Sequence, residues 1–181
     1  MKNTKYYYGW LTITLHWLVA ITVIGLFALG YWMVDLGYYD NWRKAGPLLH
    51  KSIGLTLVSV MIIRVIWRIK EVQPIPLSTY KSYEIKSSHL MHIFLYILIF
   101  IIMISGYLIS TADARGIAFF QLFEIPGFGS IIENQEDIAG VFHQYTAYFL
   151  IMMTLIHALA ALKHHFINKD LTLLRMFGNR K

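Results

Sequence analysis

Four apolar runs, at residues 10–34, 50–67, 89–110 and 138–166, are each long enough to cross a lipid bilayer, and no other feature limits the fold as strongly. A hydrocarbon core of ~30 Å needs about 20 apolar residues in helical form. Inside it, backbone N–H and C=O groups must be satisfied within the protein, which leaves helices or closed barrels. Continuous apolar runs, without alternation, select helices. The sequence therefore predicts an all-α integral membrane four-helix bundle, a single domain over residues 1–181. Composition agrees: 57% of residues are hydrophobic and 14% charged, against roughly 25% charged in soluble domains.

Four spans place both termini on one side, and the basic residues choose it. With a cytoplasmic N-terminus, the inner segments hold Lys2, Lys5, Arg64, Arg68, Lys70, Lys81, Lys86, Lys163, Lys169, Arg175, Arg180 and Lys181; the outer ones hold Arg43, Lys44, Lys51 and Arg115. Twelve against four is a positive-inside bias, so both termini are expected in the cytoplasm. The pI near 9.5 then reflects membrane orientation, and nucleic-acid binding is not indicated.

The first run follows Lys2 and Lys5 but is longer than a signal-peptide core and lacks a small-x-small cleavage site, so it reads as an uncleaved span. Cysteine is absent, which excludes disulfides, thiolate metal sites and covalent c-type haem attachment. Pro47, Pro74, Pro76 and Pro126 all fall in the expected connections. Residues 68–88 read as a polar cytoplasmic loop. The outer connection, residues 111–137, carries Ile117, Phe119, Phe120, Leu122, Phe123 and Phe128 and is expected to contain an interfacial helix.

Ionisable side chains within spans are costly and usually functional. His143 and His157 share the fourth span, fourteen residues apart, hence ~21 Å along the axis and about 40° from a shared azimuth. His16 matches the depth of His157, and His50 that of His143. Small residues lie one turn from each: Ala20, Gly54, Gly140, and Ala160 with Ala161. Two histidine pairs at two depths, with room for a flat ring beside each, point to two non-covalently bound haems. A zinc site would call for four ligands at one depth or carboxylate co-ligands, and the runs contain no Asp or Glu. His92, with Leu95 and Tyr96 at the equivalent positions, is a poorer ligand.

The segments Leu15-His16-Trp17-Leu18-Val19, His50 at the head of the second run, Lys163-His164-His165-Phe166, Lys169-Asp170 and Thr172-Leu173-Leu174-Arg175-Met176 resemble those of the bacterial cytochrome b561 family, over nearly the whole chain. The resemblance implies a four-helix bundle with two b-type haems, axial ligands at His16, His50, His143 and His157, and electron transfer between a quinone pool and an outer redox partner. It favours a quinone site near His92 and His164, imidazoles that titrate near neutrality, over the alternative that these are interfacial polar residues. Arg64, fourteen residues beyond His50, is either a haem-propionate partner or a snorkelling arginine.

Arg43, Lys44 and Lys51 gather near His50 and are expected to hold propionates or steer a small anion. Members of the family read as superoxide oxidases make superoxide the leading donor and quinone the acceptor; an outer redox protein competes. Three classes stand at this stage: a dihaem oxidoreductase of superoxide:quinone type, a non-enzymatic electron-relay or anchor subunit for another dehydrogenase, and a haem-free proton or metal transporter.

Overall fold

The computed structural model describes residues 2–178. Arg180 and Lys181, two of the twelve basic residues on the expected inner side, lie outside the described residues. Four long helices are present: α1 (Trp10–Val34), α2 (Trp42–Lys70), α3 (Ser82–Ser110) and α4 (Gln135–Phe166), with two short strands, β1 (Ile117–Phe119) and β2 (Phe123–Ile125), between α3 and α4, and a final turn of helix, α5 (Thr172–Arg175). All four long helices are apolar enough to cross a membrane. Only 11% to 17% of their most apolar stretches is buried by protein. Side chains such as Ile21, Ile69, Ile104 and Leu155 stand largely exposed. A water-soluble fold could not leave so much contiguous apolar surface uncovered; lipid is the solvent these faces suit. The chain is a multi-pass helical membrane protein.

The ends of the helices depart from the apolar runs in instructive ways. α2 begins at Trp42, eight residues before His50, and Pro47 lies inside it. This corrects the assignment of Pro47 to a connection. The first two turns of α2 are polar and small, Arg43-Lys44-Ala45-Gly46, so apolar continuity could not reveal them. α3 starts at Ser82, where the Glu84 carboxylate accepts the Lys81 backbone N–H at 3.0 Å, half of a capping box. α4 carries Glu136 and Asp137 in its first turn and Lys163, His164 and His165 in its last, the polarity that complements a helix dipole.

The connection between α3 and α4 is a β-hairpin, and the expected interfacial helix is not there. β1 and β2 pair antiparallel, Ile117 with Ile125 and Phe119 with Phe123. Its turn holds Phe120 and Gln121 at φ 46 and 60. Those values normally call for Asn or Gly, so the turn carried no sequence signature. Ser52 of α2, fully buried, stitches the hairpin down: its Oγ accepts the Phe120 N–H at 2.9 Å and donates to the Ala118 carbonyl at 3.4 Å.

The chain resolves into two compact units, each drawing a segment from all four long helices: residues 1–20, 60–96 and 152–181, and residues 21–59 and 97–151. The first has Leu15, Val19 and Met61 buried and is locked by Asn3. Asn3 accepts from Gly9 N–H and the Thr12 hydroxyl, donates to the Val72 carbonyl, and gives its backbone N–H to Glu71. α5 is tied to α1 by Trp17 Nε1 donating to the Met176 carbonyl and by Phe177 stacking on Trp17. The second unit buries Val23, Leu57, Leu98, Ile99, Ile117 and Leu150. There Gln135, at the head of α4, donates to the Leu108 carbonyl, one of the last in α3 without a helical partner.

Candidate functional site

Each unit contains one histidine pair. In the first, His16 of α1 and His157 of α4 have ring centres 6.3 Å apart with planes at 66°. In the second, His50 of α2 and His143 of α4 repeat the separation, 6.3 Å, with planes at 71°. A metal atom held by two opposed imidazole nitrogens at about 2 Å, with each ring centre a further ~1.1 Å back, gives a spacing of about 6.2 Å. The spacing of the rings in each unit therefore suits a metal held between two histidines. Among the described residues no group of three or more His, Asp or Glu side chains is placed to hold a bare metal ion.

The surroundings of the second pair also fit. His50 Nδ1 is buried and has no hydrogen-bond partner. On the neighbouring helices, glycines lie flush against the rings: a Cβ at Gly30 would come within 3.1 Å of His50 Cε1, and one at Gly106 within 3.2 Å of His143 Cε1. Glycine within a helix costs about 1 kcal/mol relative to alanine, and close approach to the imidazoles is what requires it here. Neither glycine was singled out in the sequence, although a glycine interrupting an apolar helix is a signal for close contact. Gly54 and Gly140, singled out as neighbours of the ligands, are not needed for protein packing, since a Cβ at either would meet nothing within 4 Å.

In the first unit Arg64 is committed to the His16 side of the pair. Its guanidinium donates to the Leu15 carbonyl at 3.0 Å and the Tyr96 hydroxyl at 2.8 Å, and lies 2.9 Å from His16 Nδ1. Arg64 and Arg68 both lie over the Tyr96 ring, a cation–π arrangement. A small cleft lined by Asn3, Arg64, Trp67, Arg68 and Tyr96 thus presents two guanidinium groups. His92 packs against His157, ring centres 5.1 Å apart.

His164 sits in a different setting from His92. Its Nδ1 is 2.7 Å from Asp170, its Nε2 3.9 Å from Glu84, and the Tyr80 ring lies 4.8 Å away, tilted by 56°. Lys163 pairs with the same Glu84 at 2.9 Å. Burial opposes ionisation of Asp170, but hydrogen bonds from the Thr172 hydroxyl and backbone N–H and from His164 outweigh it and hold the carboxyl below its ordinary value. Burial pushes the Tyr80 phenol up. His92 and His164 thus sit in separate settings, the first against His157 and the second against Asp170 and Glu84. In the second unit Arg43 donates to the Leu36 carbonyl at 3.0 Å, just past the end of α1, and Lys44 and Lys51 are exposed.

Four apolar spans and two bis-histidine pairs define a class: a membrane protein built to hold haem and carry electrons. Comparison with known proteins places the chain within that class. It belongs to the prokaryotic cytochrome b561 family, which it matches over residues 7–179. It is 46% identical over 176 residues to cytochrome b561 homolog 2 of Escherichia coli strain K12, covering 97% of this chain and 94% of that protein. The probable superoxide oxidase CybB of Yersinia pestis is 29% identical over 189 residues, covering 96% and 97% respectively. Cytochrome b561 homolog 1 of Escherichia coli strain K12 is 28% identical over 183 residues, covering 99% and 98%. Membership establishes membrane electron transfer as the chain's function, with b-type haem as the expected cofactor.

Proposed function

We propose that this chain is a dihaem cytochrome b of the bacterial inner membrane, with both termini cytoplasmic, that passes electrons from an outer donor to the quinone pool. The observation that carries the reading is the repeated 6.3 Å spacing of the two histidine pairs, His16 with His157 and His50 with His143. Haem b, when bound, supplies reversible one-electron storage; two strong imidazole ligands leave no open position at the iron, so the reaction is electron transfer alone. The protein's share is to hold the ligands, exclude water and set the local charge.

Arg64, with Arg68 beside it in the same cleft, is assigned to the propionate side of the inner haem, where a fixed cation offsets a buried carboxylate. His164 is the proton carrier of a quinone site; His92 packs instead against His157. Asp170, His164, Glu84 and Lys163 form a connected series of polar groups beside it. Arg43, Lys44 and Lys51 provide positive charge near the outer pair.

Superoxide is the proposed donor, supported by the similarity to a probable superoxide oxidase. Two superoxide anions would each release one electron and become dioxygen, and one quinone would take both electrons and two protons to become quinol. The test is rapid mixing of the purified protein with superoxide and a soluble ubiquinone analogue. Quinol formation at two superoxides per quinone, above the spontaneous rate, is expected. Reduction of the protein by superoxide without quinol formation would make it an electron-relay subunit for another enzyme.

A further inference from the structure

His143 differs from the other three paired histidines in having a buried hydroxyl built against its ring. Ser105 of α3 is 3% exposed, and its Oγ lies 3.0 Å from His143 Nδ1. The hydroxyl has one proton, and Ser105 donates it to the Ile102 carbonyl at 3.0 Å. Its lone pairs therefore remain for an N–H to fill. With the hydroxyl proton given to Ile102, the contact requires Nδ1 of His143 to carry its own proton, which leaves Nε2 with a bare lone pair.

We infer that Ser105 is a positioning residue, which fixes His143 in the tautomer and orientation that present Nε2 as an axial ligand. The inference rests on the dihaem reading above. The next residue, Gly106, completes the arrangement by letting the ring lie against α3, where a Cβ would come within 3.2 Å of it. His50, the other member of the pair, has no such device, since its Nδ1 has no partner. The two members of this pair are thus unequal: a hydrogen bond within the protein orients His143, and none orients His50. A hydrogen bond accepted from Nδ1–H also makes the ligand more basic, which favours the oxidised iron.

The test is a redox titration of the holoprotein, followed in the visible spectrum, on wild type, Ser105→Ala and Ser105→Thr, with haem counted per chain. Ser105→Ala is expected to move one midpoint to more positive values and to hasten loss of that haem, leaving the other unmoved. The component that moves is the one retained in His16→Ala. Ser105→Thr keeps the hydroxyl and is expected to restore the wild-type midpoint. If Ser105→Ala loses the outer haem outright while Ser105→Thr retains it, the positioning role also stands. Two haems with both midpoints unmoved in Ser105→Ala would overturn the inference alone, as would equal changes in the Ala and Thr variants, which would mark a packing effect. A wild-type chain that binds no haem would overturn the dihaem reading and the inference with it.

Discussion

Replacing Gly30 by alanine tests the close approach at the outer pair with a single methyl group. The added Cβ would lie 3.1 Å from His50 Cε1 and 3.6 Å from Nδ1, whereas carbon atoms prefer about 3.5–4.0 Å. The ring must retreat by a few tenths of an ångström in a packed interior, and overpacking of that size costs about 1–3 kcal/mol. If the strain falls on the haem-bound state, affinity drops by about 5- to 140-fold, taking 1.4 kcal/mol per factor of ten. Gly25, on the same helix, supplies the control, since a Cβ there meets nothing within 4 Å. The assay is the haem-to-protein ratio after purification, with the rate of haem loss to an excess of a scavenging apoglobin. Gly30→Ala should lose one of two haems faster than wild type and leave the other alone, while Gly25→Ala should match wild type or gain slightly in thermal stability. Identical haem loss from the two variants would refute the argument that His50 needs the glycine.

Alanine at Gly140 or Gly54 touches no protein atom; if a ring plane approaches the backbone beside His143 and His50, either change should reduce outer haem content without lowering the helix content seen by circular dichroism. Arg64→Leu removes the partner of His16 Nδ1, the Leu15 carbonyl and the Tyr96 hydroxyl together; it should shift the inner haem's midpoint or release that haem, and an unchanged titration would remove Arg64 from the site. Because the folded-state pKa of Asp170 is held below its ordinary value, its contribution to stability is present above about pH 3.9 and is lost as pH falls through the folded value. Thermal melts between pH 5 and pH 2.5 should therefore show a steeper loss for wild type than for Asp170→Asn. Ser52→Ala strands the Phe120 N–H, a cost of about 1–3 kcal/mol, and should raise hydrogen exchange across residues 117–125; unchanged exchange would mean that Ser52 does not hold the hairpin.

The four spans were legible because a membrane imposes one rule on every residue of a span, and the rule leaves a long uniform signal. The start of α2 was not, because Trp42 to Gly46 lie outside that signal and are held in a helix that Pro47 interrupts by one missing donor. The hairpin at residues 117–125 was missed for a related reason. Its turn residues, Phe120 and Gln121, adopt left-handed conformations that tertiary contacts to Ser52 hold in place. Alternation over three residues per strand is too short to separate a strand from a helical turn. The pairing of the histidines could be read from spacing, because depth along a helix is proportional to residue number.

What surrounds the histidines depends on which helices are neighbours, and residue number along one helix does not give that. Ser105, Gly106 and Gly30 reach His143 and His50 from other helices, and Tyr96 reaches Arg64 in the same way. Arg64 was legible as a charge at the depth of the first pair, with a snorkelling role left open, but its commitment to His16 Nδ1 was not. His92 and His164 were grouped by depth and by the family resemblance. The structure separates them, one against His157 and the other against Asp170.

The most direct measurement of the central claim is a dithionite-reduced minus oxidised spectrum of the purified protein, with pyridine haemochrome used to count haem per chain, on wild type, His16→Ala and His143→Ala. The account predicts two b-type haems in wild type and one in each variant, with different α-band maxima remaining. A wild-type chain without haem after expression with ample haem supply, or variants that both retain two, would contradict it.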